Sequence, residues 1–449
     1  MYSFLLSVCA LILGYFVYGK FVDKVFKPDP NRLTPAISKA DGVDFMPMPT
    51  WKIFMIQFLN IAGTGPVFGA IMGAKFGPAA YLWIVFGCIF GGAVHDYLSG
   101  MLSLRHDGAS LPELIGHYLG NKTKSVMLIF SILLLLMVGA VFVYSPASIL
   151  SGMVGDGSNS GFMIWVAIIL GYYLIATLLP VDKIIGRIYP VFAAALIFMA
   201  VGMMGGLLSR WPSIPEFWQG LGNRTAETGA HQSIFPYMFI SIACGAVSGF
   251  HATQSPMMAR CLKNEKLGRP VFYGAMVTEG LVALIWAAVS SYVFFDGGLA
   301  ETGCASGAAP AVVTAVSTKW LGVFGGILAM LGVVAAPITS GDTALRSARM
   351  IVADMLHIDQ KSMIKRLAIC APIFAVTGLM LWYNIADADG FNTIWKYFGW
   401  ANQTLSVFTF WALTVFLKKE RKGLSYLITA IPAVFMTVVC TGYIIMEIF

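Results

Sequence analysis

The 449-residue chain is 58% hydrophobic and only 11% charged, with a mean hydropathy of +0.78. A water-soluble domain of this length needs far more polar surface, so that class is excluded. The net charge of +7 is spread over short loops and forms no single basic patch, which excludes a nucleic-acid-binding surface.

Apolar runs long enough to cross a hydrocarbon core of about 30 Å recur from end to end. Twelve are legible: 3–21, 52–74, 79–103, 125–150, 161–180, 188–209, 232–256, 270–295, 308–345, 366–384, 394–417 and 424–446. They predict an all-α integral membrane protein, one polytopic domain. Its parts are 1–50 (first span and loop), 51–210, 231–417, and a last span at 424–449. The first run has neither a basic start nor an A-x-A site, so it is expected to stay as a span.

Residues 22–51 are rich in Pro and Asp and are expected to be irregular. Span two contains Ala62-Gly63-Thr64-Gly65-Pro66, two glycines and a proline in mid-membrane. Proline cannot donate its hydrogen bond and glycine is a weak helix former, so the span is expected to break there. Gly65, Gly69, Gly73 and Gly77 fall four apart and share one face, which lets a neighbouring backbone approach closely. Residues 108–120 predict a short interfacial helix opened by Ser110 and Pro112. Segment 210–231, with two tryptophans, and segment 296–310 read as loops on the outer side.

Span seven carries a second small-residue stripe, Ser241, Gly245 and Gly249, interrupted by His251, Thr253, Gln254 and Pro256. Spans two and seven each open a series of five, 2–6 and 7–11, and an odd offset reverses orientation as an inverted repeat requires. Paired Gly/Pro-interrupted spans point to a transporter site, although kinked packing helices give the same pattern. The seven cysteines, Cys9, Cys88, Cys244, Cys261, Cys304, Cys370 and Cys440, form no C-x-x-C pair and read as small membrane residues.

With twelve spans, 24 of the 29 basic residues fall on one side; the other holds Lys75, Arg210, Arg224, Lys319 and Lys396. The positive-inside rule makes the rich side cytoplasmic and puts both termini outside.

A broken span presents a half-helix N-terminus, with partial positive charge and free N–H donors, suited to a carboxylate. Gly63, Thr64 and Gly65 are therefore the candidate substrate-binding backbone, with His251, Thr253 and Gln254 opposite. His251 is also compatible with packing, but beside Thr253 and Gln254 at a break it suits a substrate or proton role. His95 and Asp96 in span three suit a gate, with Asp96 paired to a loop residue such as Arg105, or proton carriage. Glu279 in span eight needs a partner or a proton at that depth. In span nine, Thr339 and Ser340 between Pro337 and Gly341 offer hard oxygen ligands for Na⁺, together with backbone such as Ala62, or else bond back to helix carbonyls. Asp342 and Arg346 stand at i, i+4, the spacing of a salt bridge. No G-x-x-x-x-G-K-[ST] or H-E-x-x-H motif occurs, so neither ATP nor a catalytic metal is indicated and the chain reads as a non-enzyme without a cofactor. A channel or a nutrient sensor is the rival class.

The stretches NIAGTGPVFGAIMGAKFGP (60–78), GCIFGGAVHDYLSGMLSLRHDGASLPELIG (87–116) and GFHATQSPMMARCLKNE (249–265) resemble the carbon starvation protein A (CstA) family. The resemblance covers most of 50–420. It implies a peptide or pyruvate transporter of the bacterial inner membrane, driven by H⁺ or Na⁺ and active in carbon starvation. It also implies a LeuT-like (APC-type) fold with one extra helix at each end. The chain is shorter than the enterobacterial members and is expected to lack their additional C-terminal region.

Overall fold

The computed structural model describes residues 1–42, 44–154, 159–178, 185–303, 307, 309–358, 360, 362–387, 390–421 and 423–448. Cys304, Lys183, Lys361, Lys422 and part of the loop expected at 296–310 lie outside them. Among the described residues every regular element is helical. Among the described residues nine helices are long and apolar enough to cross a membrane, or ten if one bent pair counts as a span. The chain is thus a multi-pass membrane protein.

The bent pair is span two. Helices α1 (Tyr2–Phe16) and α2 (Tyr18–Phe26) precede it, and it consists of α3 (Thr50–Ala62) and α4 (Gly65–Ala74), bent by 44°. At the break Gly63 has φ 50° and ψ −143°, a conformation that glycine alone adopts easily. Pro66 falls in the first turn of α4, where its missing N–H costs nothing. Span three runs from α5 (Ala79–Phe86) through a π-turn at Gly87–Gly92 into α6 (Ala93–Arg105). The short helix expected at 108–120 is α7 (Leu111–Leu119), where the Glu113 carboxylate accepts the Ser110 N–H at 3.3 Å. Helices α8 (Asn121–Val154), α9 (Asn159–Leu178) and α10 (Ile185–Arg210) complete the first series.

The loop after α10 exposes Trp211 and Trp218. Its Glu216 accepts the N–H groups of Tyr2 (2.9 Å) and Ser3 (2.7 Å), satisfying orphan donors at the start of α1.

Span seven differs from expectation in where it breaks. A π-turn (Ile234–Met238) and one helical turn (Phe239–Ser241) come first. A non-helical stretch, 242–250, follows, and α11 (His251–Ala259) begins at the histidine. The polar run His251–Pro256 therefore starts a helix and does not interrupt one. Gly245, at φ 89°, accounts for the disruption.

Helix α12 (Gly274–Phe295) is span eight. Span nine is longer than the sequence suggested: α13 runs Ala309–Leu356, 48 residues with a kink at Gly322. A straight helix of that length would reach about 72 Å at 1.5 Å per residue, so it turns. Asp342 and Arg346 both lie within this helix. Helices α14 (Met363–Ala386), α15 (Gly390–Glu420) and α16 (Leu427–Ile448) follow. The expected span at 394–417 is helical but interrupted by polar residues such as Asn402, Gln403 and Thr404, and together with the broken span seven it makes up the difference from twelve. Apolar side chains on α9, α10, α14 and α16, such as Ile168, Val201, Leu379 and Val438, are exposed on the outside, as a lipid-facing surface requires.

Candidate functional site

The two breaks face one another. A Cβ on Gly65 would lie 2.2 Å from Cys244 Sγ, one on Gly69 2.7 Å from the Ser241 carbonyl, and one on Gly73 2.1 Å from Ile242. The glycine stripe of α4 thus lies directly on the non-helical stretch of span seven, and the absence of side chains permits the approach.

Opened backbone must be satisfied, and the structure supplies partners. Ser340 Oγ donates to the carbonyls of Leu59 (3.1 Å) and Asn60 (2.9 Å), just before the break in span two. On span seven, Trp83 Nε1 donates to the Ile242 carbonyl at 3.0 Å. Asn402 Oδ1 accepts the Phe250 N–H (2.6 Å) and the Ser248 hydroxyl (3.1 Å). Sequence reasoning passed over Trp83, Ser248 and Asn402; the polar pair Asn402-Gln403 inside an apolar span was the available signal.

Other polar atoms there are buried without a hydrogen-bond partner: Gln57 Oε1, both amide atoms of Asn60, Thr64 Oγ1 and Gln254 Oε1. They sit on α3, the Thr64 turn and α11, and α11 packs on α3. Among the expected substrate residues, Thr64 and Gln254 therefore offer free groups. Thr253 Oγ1 donates back to the Phe250 carbonyl at 2.7 Å. Gly63 faces the Phe142 ring, 2.8 Å from a Cβ there, with Ser340 Oγ at 3.5 Å.

His251 looks elsewhere. Its Nδ1 lies 2.8 Å from Asp96 Oδ2, and its Nε2 3.5 Å from Glu279 Oε2. His95 Nδ1 takes the other Asp96 oxygen at 2.9 Å. The four expected residues His95, Asp96, His251 and Glu279 thus form one buried chain joining α6, α11 and α12. The suggested Asp96–Arg105 pair is not formed. Arg105 instead grips Glu265 at 3.1 and 2.9 Å, because it lies at the end of α6, more than two turns away from Asp96.

Around span nine, Thr339 Oγ1 bonds back to the carbonyls of Ala335 (3.0 Å) and Ala336 (2.9 Å). Asp342 accepts from Tyr172 at 2.7 Å and from Tyr189. Arg346 is directed to Asp44 at 3.6 Å, as is Arg349 at 3.6 Å. Arg346, Arg349 and Arg366, read from sequence as loop charges, are all buried. Asp44 lies outside the spans. Burial pushes its carboxyl up, but Arg349 and Arg346 outweigh this and hold it below the ordinary 3.8.

A cavity of about 320 Å³ lies beside α4, lined by Phe68, Met72, Lys75, Tyr144, Ser145 and Trp395 among others. Around Asp44 the pairs with Arg346 and Arg349 are buried.

The family model of carbon starvation protein CstA matches residues 1–208, 158–319 and 286–442, nearly the whole chain. The chain belongs to the CstA family. It is 47% identical over 334 residues to an uncharacterized membrane protein of Haemophilus influenzae, covering 64% of this chain and 90% of that one. It is 27% identical to the peptide transporter CstA of Campylobacter jejuni, covering 98% of this chain and 79% of that one. It is 29% identical to the pyruvate/proton symporter BtsT of Escherichia coli over 64% of this chain and 48% of BtsT. These CstA-family relatives bear out the resemblance seen in the two broken spans.

Proposed function

We propose that the chain is an ion-coupled secondary transporter that imports a small carboxylate-bearing nutrient, pyruvate or short peptides, across the inner membrane during carbon starvation. The observation that carries this reading is the set of unpartnered buried polar atoms at the Thr64 turn and on the helices α3 and α11 beside the two breaks. An unmet buried polar group costs about 1–3 kcal/mol, so several together favour a polar occupant. The N-terminal end of α4 at Thr64 receives the carboxylate, while Gln254, Asn60 and Gln57 read the rest of the solute. The named activities of the two transporter relatives support this choice of substrates.

The twelve-span arrangement with a 5+5 inverted repeat and both termini outside is retained as the working topology. In it the cavity beside Lys75 opens outward and the Asp44–Arg349 pairs form the closed cytoplasmic gate. The coupling ion is a proton, and Asp342 carries it. It is a carboxylate deep in the bundle, held by two tyrosines and two residues from Ser340, whose hydroxyl touches span two. The name of BtsT favours a proton over Na⁺; the alternative Na⁺ ligands Thr339, Ser340 and the backbone near Ala62 remain the competing site.

The test is uptake into proteoliposomes of pyruvate and of di- and tripeptides, under an imposed pH or Na⁺ gradient. Accumulation driven by the pH gradient, lost in Asp342→Asn while substrate exchange persists, is the expected result. Downhill flux without accumulation would indicate a channel, and no flux a sensor. Thr64→Ala and Gln254→Ala are each expected to abolish substrate-induced thermal stabilisation of the purified protein. Wild-type stabilisation in both would move the substrate site elsewhere.

A further inference from the structure

One group of side chains is left unused by the transport reading. Cys244 Sγ, His251 Nε2 and a Glu279 carboxylate oxygen lie within 4.8 Å of one another, and all three residues are buried. His251 Nε2 and both Glu279 oxygens have no hydrogen-bond partner. A bare carboxylate at this depth is costly unless a positive charge faces it.

We propose that Cys244, His251 and Glu279 bind one divalent cation of the Zn²⁺ class. Sulfur, imidazole nitrogen and carboxylate oxygen are the three ligand types that zinc takes together, and three protein ligands leave a fourth position open. Bond lengths of about 2.0–2.3 Å place tetrahedral ligand atoms roughly 3.3–3.8 Å apart. The His251–Glu279 separation of 3.5 Å already meets this, and the sulfur, within 4.8 Å of both, needs to move by at most about 1.5 Å. The surroundings match a metal-binding histidine. With Nδ1 protonated and donating to Asp96 at 2.8 Å, the Nε2 lone pair points to the site. Asp96 is in turn fixed by His95 at 2.9 Å. A carboxylate behind the histidine is the usual second partner of a metal-bound imidazole.

The placement gives the ion a structural task. Cys244 lies within the non-helical stretch 242–250, His251 lies just beyond it, and Glu279 stands on α12. A metal bound to all three would tie the open backbone of span seven to its neighbour. This inference does not rest on the transport reading, because binding is measured without substrate.

The experiment uses the full chain purified in detergent, stripped with chelator and then loaded with Zn²⁺ alone or Co²⁺ alone. Expected are one Zn²⁺ retained per chain, a rise in Tm on loading, and a thiolate-to-cobalt charge-transfer band with Co²⁺. Cys244→Ser should abolish that band, and Glu279→Gln should abolish tight Zn²⁺ retention. Asp96→Asn, a positioning change, should weaken Zn²⁺ binding by about 10–100-fold. If folded wild type retains no stoichiometric Zn²⁺, or its cobalt form shows no thiolate band, the proposal fails whatever the variants do. Wild-type Zn²⁺ retention by both folded variants would also overturn it.

Discussion

Ser340 shows how a single hydroxyl can decide the state of a broken helix. It reaches across from α13 to two carbonyls that the break at Gly63 leaves without helical partners. Removing the hydroxyl leaves them buried and poorly satisfied, at a cost of about 1–3 kcal/mol. Ser340→Ala should therefore lower the Tm of the purified protein while leaving the Na⁺ response of uptake flat. A raised Na⁺ requirement would instead make Ser340 an ion ligand. Residue-scale roles were only partly legible in the sequence. Gly63 to Pro66 announced the break, since these residue types disfavour helix wherever they occur. The partners of Asp96, Asp342 and Arg346 were not legible. Each was paired by proximity along the chain, whereas the fold joins Asp96 to His251 and Arg346 to Asp44 across hundreds of residues.

At the scale of elements, the second break depends on a helix that sequence reasoning treated as ordinary. α15 passes so close to span seven that a Cβ on Gly249 would lie 2.3 Å from the Asn402 carbonyl, and the Asn402 side chain holds both Ser248 and Phe250. Asn402→Leu keeps the branched shape and removes the acceptor, orphaning two donors. The expected loss is about 2–4 kcal/mol, read as a lower Tm, with Asn402→Asp losing less because it keeps an acceptor. The spans themselves were legible because a lipid-crossing helix writes its length as an unbroken apolar run. The end of span nine was not, because Arg346 and Arg349 look like loop residues until their buried partners are known. The break of span seven was displaced for a related reason: polar residues mark a site lining as readily as a helix end.

For the whole molecule, the charge pattern predicts sidedness. Single reporter cysteines at Ala300, Gly120 and Lys263, all exposed, should label from the periplasm at 300 only. Periplasmic labelling at 263 would reverse the topology. The proposed cytoplasmic gate is Asp44 among Arg346 and Arg349. Its carboxyl is held below the usual 3.8, so its contribution is complete above that value and is lost as pH falls through the depressed pKa. Thermal stability should thus be insensitive to Asp44 titration from pH 5 to 8 and fall only below about pH 4. Asp44→Asn should mimic that loss at pH 7 by leaving buried guanidinium groups without their counter-charge, and should raise labelling of a reporter cysteine placed at Ser347.

The bend at Gly63 has one more consequence. The piece before it, α3, is stitched to α13 through Ser340, and the piece after it, α4, lies glycine to backbone on span seven. The two halves are thus held by different close contacts, although α3 also packs on α11 and α4 on α13, and a change of angle between them would fall on the two residues that join them. Gly63, at φ 50°, is the residue whose backbone freedom such a change of angle would draw on.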